Sequence, residues 1–322
     1  MKIARTDSHL SGMRAYRGKA EICQARPKEQ ELVRGMGLRG GLAPTRLWRK
    51  LGHMAGAKRR DPKGGGHGMR VALWQGCSVD GDIGAGLAQA EAAVAAAGAM
   101  GARVLVLPEC WLPGYNTARL ADLALERGGA WQTRLSAACA DAGCGLVIGY
   151  AERGDCCLYN TALALDATGC EVAHYRKIQL YGPREAALYR PGHAYVTFDL
   201  EGVKVGLLIC YDVEFAPHVA ALAGRGVDLL LVPTANMMPF THVMRATVPA
   251  MAANHGVAIV YANFCGTEGD LTYAGRSLIA GPHGEVVAQA FETPALLVAD
   301  LPLRDPGYLS TQAHDFRAVV EG

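Results

Sequence analysis

Cys210 ends the apolar run Val205-Gly206-Leu207-Leu208-Ile209 and is followed at once by Tyr211-Asp212, which predicts a thiol at a strand-to-helix turn. Such an elbow presents a nucleophile at the edge of a sheet, where backbone N–H groups of the following turn can lower a thiol pKa and hold an oxyanion. By itself the pattern also fits a buried apolar cysteine, the commoner fate of the residue. Two further positions would complete a nucleophilic site. Glu109 closes the apolar run Val104–Leu107 through Pro108; desolvated there, its carboxylate would have a raised pKa and could accept a thiol proton. Lys177 follows another strand in Tyr175-Arg176-Lys177-Ile178 and offers a fixed cation, although alone it reads first as a solvated surface charge. In open α/β sheets the ligand crevice lies at the carboxyl ends of strands, and these three residues each end one.

The elements that must position them follow from hydrophobic pattern. Strands are expected at Val71–Gln75, Val104–Leu107, Leu146–Tyr150, Leu158–Leu165, Glu171–Tyr175, Val203–Ile209, Leu229–Pro233 and Val257–Asn263. Helices are expected over the Ala-rich Ile83–Met100, over most of Leu120–Ala142, and at Pro217–Gly224 and Val243–Asn254. Ser277–Ala280 and Glu285–Ala290 flank Gly281-Pro282-His283-Gly284, a hairpin signal. The alternation predicts an α/β layered fold around one core, with no internal repeat.

Several motifs in order resemble the nitrilase, or carbon–nitrogen hydrolase, superfamily. Leu105-Val106-Leu107-Pro108-Glu109 with Pro113-Gly114-Tyr115-Asn116 is similar to its glutamate motif, Tyr175-Arg176-Lys177-Ile178-Gln179-Leu180 to its lysine motif, and Gly206-Leu207-Leu208-Ile209-Cys210-Tyr211-Asp212-Val213-Glu214-Phe215 to its cysteine motif. Glu185, eight residues after Lys177, matches the family's second glutamate, which helps to position substrate and lysine. Val232-Pro233-Thr234-Ala235-Asn236, Tyr261-Ala262-Asn263, Gly275-Arg276-Ser277 and Gly281-Pro282-His283-Gly284 also fit, so that the resemblance spans about 69–305.

The resemblance implies a four-layer α-β-β-α sandwich that pairs into a homodimer or larger homo-oligomer. It implies that Cys210 attacks an amide carbon, that Glu109 moves the protons, and that Lys177 with the Tyr211 N–H stabilises the oxyanion, with no metal or organic cofactor. Tyr211-Asp212 resembles amidases and carbamoyl hydrolases, whereas nitrilases commonly carry Trp and Glu there. The expected substrate is therefore a small carboxamide, with N-carbamoyl compounds second and nitriles third. A catalytically silent scaffold on the same fold is the alternative from outside enzymology. Trp111, Tyr115 and Asn116, on the loop after the base, are candidate pocket walls or plain surface; Asn236, Met237 and Met238 are candidate pocket or core. His255 and His283 read as structural. The chain departs from the family at Phe215-Ala216-Pro217-His218, where Phe-Pro-Glu is frequent, and at Met251-Ala252-Ala253-Asn254-His255, where Arg-Ala-x-Glu-Asn is frequent. These departures suggest a salt-bridged pair replaced by neutral groups.

Composition narrows the remaining classes. Half the residues are hydrophobic and 19% are charged, as in soluble globular proteins. Gly and Pro interrupt every apolar run short of a membrane span. The ten cysteines have no C-x-x-C spacing, which argues against zinc and for reduced thiols in a cytoplasmic setting. No phosphate-loop pattern accompanies the glycines. Residues 1–68 hold 16 Lys/Arg against 5 Asp/Glu and the remainder 16 against 25, so a leader of net +11 precedes a body, 69–322, of net −9. The leader lacks hydrophobic periodicity and reads as disordered. The preferred reading is an upstream start, with Met69 as the natural first residue; a basic tail for anionic partners and a targeting segment are the alternatives. A nucleic-acid role would rest on that leader alone.

Overall fold

The computed structural model describes residues 68–319. The leader read from the sequence therefore lies, up to residue 67, outside the described residues.

The first half lays down β1 (Arg70–Gln75), α1 (Ile83–Ala99), β2 (Val104–Val106), α2 (Ala130–Ala142), β3 (Gly145–Arg153), β4 (Leu158–Leu165), β5 (Glu171–Arg176) and α3 (Gly182–Leu188). The second adds β6 (Thr197–Leu200), β7 (Val203–Leu207), α4 (Ala216–Ala223), β8 (Leu229–Pro233), α5 (Val248–His255) and β9 (Ala258–Ala262). It closes with the short hairpin β10 (Thr267–Glu268) and β11 (Leu271–Thr272), then β12 (Leu278–Ala280), β13 (Val286–Gln289) and β14 (Ala295–Asp300).

Two six-stranded sheets result, ordered β14-β1-β2-β3-β4-β5 and β13-β12-β9-β8-β7-β6. Each has three parallel strands at its heart, β1-β2-β3 and β7-β8-β9, with antiparallel strands on both flanks. Side chains alternate across a strand, and the first sheet uses this fully. Val71, Leu73, Val104, Val106 and Val147 share a core with Leu207, Leu231 and Ile259 of the second sheet. Their neighbours Ala72, Leu105, Leu146 and Ile148 pack instead with Leu87, Ala90, Val94 and Ala97 of α1 and Leu135 and Cys139 of α2. Val219 and Leu222 of α4 and Val248 and Ala252 of α5 cover the outer face of the second sheet. The architecture is the four-layer α-β-β-α sandwich. Among the described residues no helix is long and apolar enough to cross a membrane.

Helix α1 forms as its composition dictates. Asp82 caps it by accepting the Ala85 N–H at 2.9 Å, and Leu87, Ala90, Val94 and Ala97 recur at helical spacing on its buried side. The expected helix over Leu120–Ala142 is in fact a single turn at Leu120–Leu123, an irregular stretch, and then α2. Leu125 bridges to Glu152 of β3, and Gly128 at φ +78 turns the chain where helix cannot continue. The expected helix at Val243–Asn254 begins as a π-turn at Val243–Thr247, and α5 proper starts with Pro249 in its first turn. The expected strand Val203–Ile209 ends at Leu207, because Leu208 and Ile209 carry the chain out of the sheet toward the elbow.

Candidate active site

Strands β2, β5 and β7 deliver Glu109, Lys177 and Cys210. Lys177 follows β5 directly, and its backbone N–H donates to the Asn160 carbonyl of β4 at 2.8 Å. Glu109 lies two residues beyond Leu107, whose N–H still donates to Val147 of β3. Cys210 opens a 3₁₀ turn, Cys210–Glu214, with its backbone at φ +45. A side-chain-bearing residue held in this region is costly and persists where the surroundings impose it. Here Asp212 does so. It is fully buried and accepts the Ile209 N–H at 3.0 Å, the Gln179 N–H at 2.7 Å and the Tyr175 hydroxyl at 2.7 Å.

Lys177 is buried between two carboxylates. Its Nζ donates to Glu109 Oε1 at 2.6 Å and to Glu185 Oε1 at 2.8 Å. Asn160 Nδ2 donates to the same Glu109 oxygen at 2.6 Å, while Glu109 Oε2 has no hydrogen-bond partner among the described residues. Glu185, on α3, also accepts the Tyr115 hydroxyl at 2.7 Å and the Tyr181 N–H at 3.0 Å. Burial is the largest influence on Glu109 and pushes its carboxyl above the ordinary range, with Lys177 pulling it back and the Glu185 charge adding to the rise. Burial works against the Lys177 charge, but the two carboxylates outweigh it and hold the ammonium well above its usual range. The result is a fixed cation beside a carboxyl group poised for proton transfer.

The thiol behaves differently from the sequence expectation. Burial, and then the Glu109 charge, raise Cys210 well above an ordinary thiol, and neither Lys177 nor the Ala235 backbone reverses this. Burial and the neighbouring carboxylate thus favour the protonated thiol over the thiolate. The thiol opens into a cavity of about 230 Å³, whose wall includes Tyr115, Tyr181, Tyr211, Glu214 and Asn236.

The sequence profile of carbon–nitrogen hydrolases matches residues 70–307. The chain belongs to the carbon–nitrogen hydrolase family. It is 37% identical over 237 residues to a hydrolase of Pseudomonas protegens, covering 72% of this chain and 82% of that one. It is 32% identical over 263 residues to an (R)-stereoselective amidase of a Pseudomonas species, covering 79% and 93% respectively. The crystal structure of an amidase from a Nesterenkonia species superposes with a TM-score of 0.69 at 36% identity, covering 74% of this chain and 92% of that one. In one variant of that amidase, acrylamide has added to the active-site cysteine.

Within this carbon–nitrogen hydrolase, the expected residues divide. Glu109, Lys177 and Glu185 form one hydrogen-bonded cluster, with Cys210 close enough for the charges of all three to bear on its thiol. Tyr115, Tyr211, Asn236 and Met237 line the cavity. Trp111 does not. It is fully buried on the helix side of the first sheet, donates to the Gly86 carbonyl at 2.9 Å and stacks on Phe264. Asn116 also lies off the cavity wall, bonded to Glu268 and Asp270 of the β10–β11 hairpin. A residue number close to the base does not fix direction, and the loop turns these two side chains elsewhere. His218, the residue after Phe215-Ala216-Pro217, bridges Gln179 at 2.9 Å and the Tyr195 hydroxyl at 2.7 Å.

Sequence reading missed Asn160, Asp212 and Glu214. Asn160 sits mid-strand among apolar residues, and a buried amide there was the available signal. Asp212 was visible only as part of a motif.

Proposed function

We propose that the chain hydrolyses a small carboxamide to its acid and ammonia through a thioester on Cys210. Glu109 takes the thiol proton, and the sulfur attacks the carbonyl carbon. The tetrahedral oxyanion is stabilised by the Lys177 ammonium and the Tyr211 N–H. Glu109 returns the proton to the nitrogen, ammonia leaves, and the thioester remains. Water, deprotonated by Glu109, then attacks the acyl carbon; collapse releases the acid and restores the thiol. Glu185 and Asn160 hold the lysine and the base in place.

One observation carries this reading: a buried Glu109–Lys177–Glu185 cluster stands behind a thiol that opens into a cavity sized for a small molecule. The amidases among its relatives support it. The proposal includes a homodimer or larger assembly in the cytoplasm, and a catalytic body distinct from the basic leader at 1–68. The test is product analysis on small aliphatic amides. Equal yields of acid and ammonia are expected, and Cys210→Ala should release neither while unfolding at the same denaturant concentration. Carbon dioxide among the products would assign carbamoyl hydrolysis instead, and full turnover by Cys210→Ala would overturn the mechanism.

A further inference from the structure

Glu214 is the last residue of the turn that Cys210 begins, and its side chain lines the same cavity as the thiol. Its carboxylate is partly buried, and among the described residues no side-chain hydrogen bond or ion pair reaches it. Its turn-mate Asp212 receives three donors. The nearest buried cation, Lys177, gives its hydrogen bonds to Glu109 and Glu185. Burial pushes the Glu214 carboxyl above its ordinary range, and the charges of His242 and Lys177 only partly oppose this. His242 lies on the cavity's rim, exposed to water. A partly desolvated carboxylate on a mainly apolar cavity wall carries a cost that water offsets only in part. A ligand bearing the opposite charge would relieve it.

The wall around this carboxylate is aromatic. Tyr181 meets Tyr211 edge-on at 5.3 Å between ring centroids and Phe240 at 6.1 Å, and all three rings line the cavity. Ring faces attract ammonium groups as carboxylates do. We propose that this pocket selects amides whose acyl group carries a cationic amine, with Glu214 as the counter-ion and the Tyr181–Tyr211–Phe240 rings as the wall. This inference rests on the amide-hydrolysis reading above and names its substrate class.

Three amides that share a CH₂CH₂CONH₂ unit and differ in the charge of the terminal group test it: 3-aminopropanamide and butyramide, which match in size, and the anionic, slightly larger succinamate. The cationic amide should show kcat/KM at least about tenfold above butyramide, the size of one ammonium contact in a partly desolvated site. Succinamate should be the poorest. In Glu214→Gln the cation-to-neutral ratio should fall to near one, and Glu214→Lys should turn the order toward succinamate. A wild-type ratio near or below one, or a ratio unchanged in Glu214→Gln, would overturn the proposal. Ammonia from none of the three would count against amide hydrolysis itself. In that case calorimetric binding of the same amides decides: tighter binding of 3-aminopropanamide, lost in Glu214→Gln, sustains the cation site, and equal binding removes it.

Discussion

The Tyr175 hydroxyl donates to Asp212 Oδ2 over 2.7 Å, and this bond joins the strand that carries Lys177 to the turn that carries Cys210. Tyr175 stands two residues before the cation and Asp212 two residues after the nucleophile. Their contact sets the spacing between charge and thiol. Asp212 adds the Ile209 and Gln179 backbone N–H groups, so the φ +45 conformation of Cys210 is enforced from both sides.

Asp212→Asn should therefore injure both stability and rate. An amide offers one acceptor oxygen and turns an NH₂ toward groups that are themselves donors. The expected loss is about 2–4 kcal/mol of unfolding free energy, the range for unsatisfied buried donors beside a lost charge-assisted bond. A fall in kcat/KM of about 100-fold follows from the displaced thiol. Tyr175→Phe removes a single donor and should cost about 1–2 kcal/mol. Denaturant unfolding and steady-state kinetics on both variants check the order; equal effects would show that Asp212 is not the hub.

Much of this site was legible because apolar runs announce strands and the reactive residues end them. Glu109, Lys177 and Cys210 could be placed at strand ends from the sequence alone, and the apolar runs Val71–Gln75 and Val104–Leu107 announced strands without giving their order in the sheets. What stayed hidden depends on contacts between distant segments. Helix α3, which carries Glu185, was not foreseen: Gly182-Pro183 reads as a turn, yet Pro183 starts a helix whose Glu185 is drawn inward by Lys177 and Tyr115. Strand β14 is absent from the expected set although Ala295–Ala299 is an uninterrupted apolar run; what the run alone does not give is its antiparallel pairing with β1. Trp111 was misdirected because nothing in its neighbours records that Gly86 of α1 leaves an acceptor beside its ring.

Lys177→Met would leave Glu109 and Glu185 buried without a counter-charge. Breaking a buried ion pair from one side costs about 3–5 kcal/mol, and that loss is expected at neutral pH. The sign with pH follows from Glu109. Its folded pKa is already raised, so its charged form is the costly one, and acidification neutralises it. The stability gap between Lys177→Met and wild type should narrow as pH falls from 7 toward the carboxyl range. Turnover should drop by about 10³ through the lost oxyanion charge. Urea midpoints at three pH values would test the trend; a gap that widens in acid would contradict it.

Glu152 has the opposite linkage. Burial pushes its carboxyl up, but the His174, Arg176 and Thr161 contacts outweigh burial and hold it well below the ordinary range. Thr161 Oγ1 donates at 2.7 Å and Arg176 through Nε and an η nitrogen at 2.9 and 2.6 Å, so Glu152 ties β3 to β4 and β5. A depressed folded pKa contributes stability that is present above the unfolded carboxyl pKa and lost as pH falls through the folded one. Glu152→Gln should cost about 1–3 kcal/mol at pH 7, as for hydrogen bonds to a charged group. The difference from wild type should hold down to about pH 5 and shrink below about pH 4. A difference independent of pH would mean that Glu152 contributes by shape alone.

Gly149 of β3 tests how tightly the base is seated. A Cβ built there would lie 2.5 Å from Glu109 Cα, 2.5 Å from the Pro108 carbonyl oxygen and 2.6 Å from the Cys110 nitrogen. All three are backbone atoms, so no side chain can swing aside. Gly149 N–H also donates to the Pro108 carbonyl at 3.2 Å, and its own carbonyl accepts from Leu112. Gly149→Ala must push the Pro108–Cys110 segment away from the sheet. Overpacking of this kind costs about 1–3 kcal/mol. The displacement falls on Glu109, whose bonds to Lys177 and Asn160 are both 2.6 Å. The expected signature is a kcat reduced by about 100-fold with KM little changed, because the cavity wall is elsewhere. Wild-type kcat in a stably folded Gly149→Ala enzyme would show that the Glu109 position is not set by this contact.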